Sequence, residues 1–226
     1  MDAPNKKMIL GIDEAGRGPI IGPMVLAGVV IEEGQEVELS EIGVKDSKLL
    51  TPEKREKLFE KIKKIAKKIM IIEVSSKEID SRFAVSTNLN VLEAAKMAEL
   101  INKLKPDVAI IDCPMVNCKK FKSEVLGKFL DHKCEIIAEN YADSKYLAVG
   151  AASIIAKVTR DARIKEIEKA VGFPIGVGYT HDARTLAFVE KALSRKDWIE
   201  KYIRKSWLTF DRIKNEKAQK KLSDGW

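Results

Sequence analysis

Two apolar runs near the start of the chain restrict how it can fold. The first, from Met8 to Asp13, is followed after a short stretch by Met24-Val25-Leu26-Ala27-Gly28-Val29-Val30-Ile31. Both read as buried strands, rich in aliphatic side chains and bounded by glycine and proline. The connection from Gly16 to Pro23 is too short for a helical crossover, so the two runs are expected to form an antiparallel hairpin.

The rest of the chain alternates helix and strand signals. Thr51 can cap a helix that Pro52 and Glu53 suit at its first turn. Leu58, Ile62, Ile65, Ala66 and Ile69 recur on one face at helical spacing. Ile69 to Val74 reads as a strand, Asn90 to Leu104 as a helix ended by Pro106, and Val108 to Cys113 as a buried strand containing Asp112. Lys119 to Leu130 reads as a helix, Glu135 to Glu139 as a strand, Ala148 to about Ala170 as a long helix, and Asp182 to Leu193 as another. Beyond Ser194 no strand signal remains and the sequence is helical and Lys-rich. This order predicts an α/β sheet with one antiparallel hairpin. It divides into a body over residues 1–193 and a helical segment over 194–226.

The 226 residues carry 45% hydrophobic side chains, enough for a sizeable core, and a net charge of +7 that suits a polyanionic partner. Cys113, Cys118 and Cys134 show neither a disulfide framework nor zinc-site spacing. No run approaches the roughly 20 apolar residues of a membrane span, and residues 1–7 lack the apolar stretch of a signal peptide. The expectation is a cytoplasmic protein acting as a monomer away from membranes.

Acidic residues cluster where strands end. Asp13-Glu14 closes the first strand, Asp112 the strand after Pro106, and Asp143 follows the strand at 135–139. In open α/β sheets functional residues gather at the carboxyl ends of strands. Oxygen-only ligands select a hard cation, Mg²⁺ or Mn²⁺, and a pair of such ions can activate water and stabilise the attacking and leaving oxygens at a phosphate. Taken singly, Asp13-Glu14 also reads as the start of a solvated turn, Asp112 as a helix cap, and Asp143 as part of an ordinary loop. Adjacent strand residues face opposite sides, so Asp13 and Glu14 can share a metal only if the strand deforms at Glu14. The Gly16-Arg17-Gly18 turn that follows lets backbone approach a ligand and adds a phosphate-seeking guanidinium.

With these residues assembled, the chain resembles the archaeal form of the ribonuclease HII family. Gly11-Ile12-Asp13-Glu14-Ala15-Gly16-Arg17-Gly18-Pro19 is similar to the family's opening signature. Val44-Lys45-Asp46-Ser47-Lys48-Leu49-Leu50-Thr51 and Ala151-Ala152-Ser153-Ile154-Ile155-Ala156-Lys157-Val158-Thr159-Arg160-Asp161 resemble two further motifs. The resemblance implies a ribonuclease H-like fold with a mixed five-stranded sheet, flanking helices and a helical C-terminal segment. It implies two-metal endonucleolytic cleavage of RNA in RNA–DNA hybrids and at single ribonucleotides in duplex DNA. The cut would fall 5′ of the ribonucleotide and leave 3′-hydroxyl and 5′-phosphate ends, a chemistry for removing ribonucleotides and RNA primers. The metal-binding acids carry over to Asp13, Glu14, Asp112 and Asp143. Substrate contacts carry over to Gly16, Arg17 and Gly18 and to Tyr179, whose ring would pack on the ribose bearing the 2′-hydroxyl. Lys45, Ser47 and Lys48 would position phosphates without reading sequence.

The chain departs from the family at two places. The usual His-Lys-Ala-Asp is here Asn140-Tyr141-Ala142-Asp143, which keeps the acid and loses an imidazole and a positive charge. After Tyr179 the usual Pro-Ser-Asp-Pro is Thr180-His181-Asp182-Ala183. Trp207, in Arg204-Lys205-Ser206-Trp207, is expected to pack in the core more than to touch nucleic acid. Residues 219–226 resemble the short tail by which replication proteins dock on a sliding clamp, with Gln219, Leu222 and Trp226 as anchors; Gly225 replaces one aromatic of that pattern. Two other readings stay open: a different ribonuclease H-like nuclease, and a non-catalytic basic protein that binds hybrids.

Overall fold

The predicted hairpin forms and becomes the centre of the sheet. In the computed structural model, which describes residues 6–44, 50–128, 133–195 and 198–223, β1 (Met8–Ala15) pairs antiparallel with β2 (Met24–Glu32), from Met8 opposite Glu32 to Ala15 opposite Val25. The chain continues through α1 (Glu36–Glu41), α2 (Pro52–Ile65), β3 (Lys68–Val74), α3 (Ser76–Ser81), α4 (Leu89–Leu104), β4 (Val108–Asp112), α5 (Cys118–Leu126) and β5 (Glu135–Glu139). It ends with α6 (Ala142–Lys145), α7 (Leu147–Val171), α8 (Ala183–Arg195) and α9 (Leu208–Ser223). The strand order is β3-β2-β1-β4-β5. β4 lies parallel to β1, with Ile12 opposite Ile111, and β5 parallel to β4, with Asp112 opposite Glu139. This is the mixed five-stranded sheet of the ribonuclease H-like fold.

The parallel pairing brings the carboxyl ends of β1, β4 and β5 to one end of the sheet. Local chemistry explains the elements that lead there. Thr51 accepts the N–H of Lys54 and caps α2, with Pro52 in its first turn and Lys63 and Lys64 in its last. Asn88 caps α4, and Lys105 ends it in a left-handed conformation before Pro106.

The chain forms two compact units. The first comprises Met1–Ala15, Val25–Glu73 and Asn88–Thr159. Its core sets Val29, Ile31 and Ala15 of the hairpin against Ala148, Ala151, Ala152 and Ile155 of α7. The small residues matter because α7 runs close over β1. A Cβ on Gly11 would lie 2.1 Å from the carbonyl carbon of Ala148, so only glycine fits. The second unit comprises Gly16–Met24, Val74–Thr87 and Arg160–Trp226. Its core joins Ile20 and Ile21 to Ile164, Phe188, Val189, Ile203 and Phe210. The helical segment after residue 194 belongs to this unit together with residues 160–193.

Among the described residues, four short elements lie outside the sequence expectation: α1, α3, the 3-10 turn Arg82–Val85, and α6. Each spans six residues or fewer, too few for hydrophobic periodicity to register. α5 ends at Leu126 with Gly127 after it, short of the expected Leu130. Residues 129 and 130 lie outside the described residues.

Candidate active site

Asp13, Asp112 and Asp143 converge, each offering a carboxylate oxygen within 4.8 Å of the others. Each is delivered by a different piece of the sheet end. Asp13 sits near the end of β1, Asp112 is the last residue of β4, and Asp143 lies in α6 directly after β5. α6 starts because Tyr141 adopts a left-handed conformation, φ 59°, which turns the chain just past the sheet. That turn points the Ala142 N–H at Asp112 Oδ1, 2.9 Å away. Asn140 holds the turn by donating to the carbonyls of Cys113 and Met115, at 3.0 and 2.8 Å. The Asn140-Tyr141 departure thus supports the acid behind it through backbone geometry.

Asp13 and Asp143 are buried and Asp112 is half-buried. Burial pushes the Asp13 carboxyl up to about 6, against the opposing pull of Lys157 and a hydrogen bond from Ser153, with the Asp112 charge raising it further. Lys157 Nζ lies 3.9 Å from Asp13 Oδ2 and also contacts Ser153 Oγ. Ser153 and Lys157 are one helical turn apart on α7, in a motif whose contact with the acids the sequence reading left unassigned. Three oxygen ligands around a costly buried carboxylate are the donor set that suits a hard divalent cation.

Glu14 follows Asp13 near the end of β1. The ladder with β2 runs on without a bulge, Glu14 opposite Leu26 and Ala15 opposite Val25, which leaves a twist of the strand end as the way to bring both carboxylates to one side. Consecutive residues of a regular strand face opposite sides, and Glu14 lies outside the trio of converging carboxylates. Its N–H donates to Asp13 Oδ1 at 2.7 Å, so its backbone, at least, supports the neighbouring acid.

The second unit holds Gly16, Arg17, Gly18 and Tyr179. Gly16, with φ 78°, opens the turn, and a Cβ on it would meet the Pro23 carbonyl oxygen at 2.8 Å. Gly18 is exposed and Arg17 half-buried. The Tyr179 ring lies 3.5 Å from where a Cβ on Gly18 would stand, which brings these two expected substrate contacts together. His181 stacks on Tyr179, ring centroids 5.5 Å apart at 26°. Trp207 packs against the core of this unit and also donates from Nε1 to the Gly18 carbonyl at 3.0 Å. Lys45, Ser47, Lys48 and Trp226 lie outside the described residues, as does the side chain of Leu222; Gln219 is an exposed residue of α9.

A sequence profile described as Ribonuclease HII matches residues 10–210. The chain belongs to the ribonuclease HII family. The Ribonuclease HII of Thermococcus onnurineus (strain NA1) is 43% identical over 213 residues, 93% of this chain and 92% of that one. That of Pyrococcus furiosus is 42% identical and covers 93% of each. Among solved structures, the ribonuclease H2 from Pyrococcus horikoshii OT3 superposes with a TM-score of 0.84 at 40% identity, over 92% of this chain and 98% of its own. The structure of the PCNA:RNase HII complex from Archaeoglobus fulgidus matches with a TM-score of 0.77 at 36% identity, over 88% and 95%. The protein is therefore a metal-dependent ribonuclease of this family, and Asp13, Asp112 and Asp143 form a cluster able to hold its metal. Among the described residues no helix is long and apolar enough to cross a membrane.

Proposed function

We propose that this protein cuts the RNA strand of RNA–DNA hybrids, and single ribonucleotides embedded in duplex DNA, on the 5′ side of the ribonucleotide. The products carry 3′-hydroxyl and 5′-phosphate ends, and the role is removal of misplaced ribonucleotides and RNA primers. The observation that carries this reading is the convergence of Asp13, Asp112 and Asp143 within 4.8 Å, since clustered carboxylates repel a phosphodiester unless cations lie between them.

Asp13, Asp112 and Asp143 hold divalent cations, Mg²⁺ or Mn²⁺, with Glu14 as the fourth carboxylate of the set. Bound there, such ions supply Lewis-acid activation of water and charge stabilisation at the phosphate. The chain's own residues do the rest. The Ala142 N–H orients Asp112, and Lys157 and Ser153 orient Asp13. Gly16, Arg17 and Gly18 grip the nucleotide at the scissile phosphate, and Tyr179 packs on the ribose whose 2′-hydroxyl marks it as RNA. Lys45, Ser47 and Lys48 grip flanking phosphates. Residues 1–193 carry the catalytic machinery. The helical segment over residues 194–226 docks at its end, through Gln219, Leu222 and Trp226, on a sliding clamp; the Archaeoglobus relative was solved as a complex with PCNA. We place the protein in the cytoplasm, acting as a monomer.

Asp13→Asn and Asp112→Asn test the assignment. Each is expected to lower cleavage by about three orders of magnitude, the loss of about 4 kcal/mol of charge stabilisation, while hybrid binding by gel shift largely survives. Cleavage retained by both variants would overturn it.

A further inference from the structure

The segment from Gly16 to Pro23 makes no helix and no strand beyond an isolated bridge at Ile21, so its shape must be imposed from outside. The fully buried Arg204 imposes it. Its Nε donates to the Gly22 carbonyl at 3.0 Å, Nη1 to Arg17 at 2.8 Å and Nη2 to Gly16 at 2.6 Å. Its backbone N–H donates to the Ile20 carbonyl at 2.8 Å, and Trp207 takes the Gly18 carbonyl. Residues 204–207 thus hold the carbonyls of Gly16, Arg17, Gly18, Ile20 and Gly22. Across a trans peptide the carbonyl and the next N–H point opposite ways. Carbonyls 16 and 17 turned toward Arg204 therefore turn the N–H groups of Arg17 and Gly18 away from it. Pro19, after Gly18, has no N–H to place.

Arg160 does the same for the neighbouring loop. It is buried, donates from Nη2 to the Val177 carbonyl at 2.8 Å, and lies 5.9 Å from the centre of the Tyr179 ring. A Cβ on Gly16 would stand 3.1 Å from its Cγ, and one on Gly178 2.7 Å from its Nη2, so both glycines make room for this side chain. The Ile20 N–H then joins the two loops by donating to the Gly178 carbonyl at 2.8 Å. Two buried guanidiniums held largely by carbonyl dipoles are costly. Burial, with Arg160 adding its repulsion, lowers Arg204 to about 9. The positive potential they leave under the loops suits a polyanion above them.

We propose that Arg204 and Arg160 are positioning residues for ribonucleotide recognition: they touch no substrate, and they set the Arg17 and Gly18 amides and the Tyr179 ring as one preformed surface. This rests on the proposed role of Gly16–Gly18 and Tyr179. Arg204→Lys keeps the charge, but one ammonium cannot span three separated carbonyls; Trp207→Phe removes the hydrogen bond to Gly18 and keeps an aromatic ring beside Arg204 and Arg82. The measurement is fluorescence anisotropy with Ca²⁺ in place of Mg²⁺, comparing a duplex with one ribonucleotide against the same duplex in all-DNA form, with circular dichroism to show folding and Mn²⁺ calorimetry to follow the acids.

The wild type is expected to prefer the ribonucleotide duplex. Folded Arg204→Lys and Trp207→Phe are expected to lose about tenfold of that preference, with affinity for all-DNA duplex and for Mn²⁺ unchanged. If Arg204→Lys does not fold, Trp207→Phe carries the test. An unchanged preference in the folded variants, with only a lower melting temperature, overturns the inference. A wild type with no preference overturns instead the reading of the loop on which it rests.

Discussion

Lys157 Nζ stands 3.9 Å from Asp13 Oδ2, so a fixed cation faces the most buried carboxylate of the cluster. The lysine favours the charged form that a metal needs and opposes the burial that disfavours it. Lys157→Ala removes this support and is expected to push the Asp13 carboxyl further above its present value of about 6. Because metal binds the deprotonated acid, the acid limb of Mn²⁺ binding should move to higher pH by about one unit. Calorimetric Mn²⁺ titrations between pH 5 and 8, set by that value, measure the shift; an unchanged limb would remove Lys157 from the site.

The same carboxyl predicts how the metal-free protein responds to pH. Asp13 is raised from 3.8 to about 6 in the folded state, so the folded state holds its proton more tightly than the unfolded chain. The resulting stabilisation is fully present below pH 3.8 and is lost as pH rises through about 6. It amounts to about 3 kcal/mol. Asp13→Asn should therefore flatten the fall in stability across this window and leave the metal-free variant the more stable form above pH 7. Urea melts in EDTA at several pH values read this directly, and parallel curves for both proteins would contradict it.

Gly11→Ala tests the close approach of α7 to β1. A Cβ 2.1 Å from a backbone carbon cannot be relieved by a rotamer change, so helix or strand must move. Overpacking of this kind is expected to cost about 3 kcal/mol, seen as a fall in the denaturation midpoint. A loss below about 0.5 kcal/mol, the range of neutral surface changes, would show that the helix sits further from the strand.

Much of this architecture was legible in the residues. The hairpin followed from the length of the Gly16–Pro23 connection, and the long helix from the run of small residues after Ala148, because both signals are local. The convergence of Asp13, Asp112 and Asp143 was legible as a pattern of acids at strand ends, since parallel pairing brings those ends together. What stayed hidden depends on contacts between distant positions. Arg204 lies 188 positions from Gly16, whose carbonyl it holds, and no local pattern announces that. The left-handed turn at Tyr141 is set by Asn140 reaching back to Cys113 and Met115. The absence of a bulge at Glu14 was hidden too, because the β-ladder with β2 is what keeps the strand in register there.

Removing residues 219–226 tests the proposed docking tail apart from the chemistry. The shortened protein should cleave short free duplexes at the wild-type rate and lose binding to an archaeal sliding clamp in surface plasmon resonance. Clamp binding unchanged by the truncation would place the contact elsewhere or remove it.

On the proposed function, the three converging aspartates serve cleavage at ribonucleotides. A 5′-labelled DNA duplex containing one ribonucleotide, incubated with the protein and with Mg²⁺, Mn²⁺ or EDTA, tests it in one gel beside the all-DNA duplex. A single product ending in a 3′-hydroxyl directly 5′ of the ribonucleotide is expected, formed only with a divalent cation and absent from the all-DNA lane. Cleavage in EDTA, or equal cleavage of the all-DNA duplex, would contradict it.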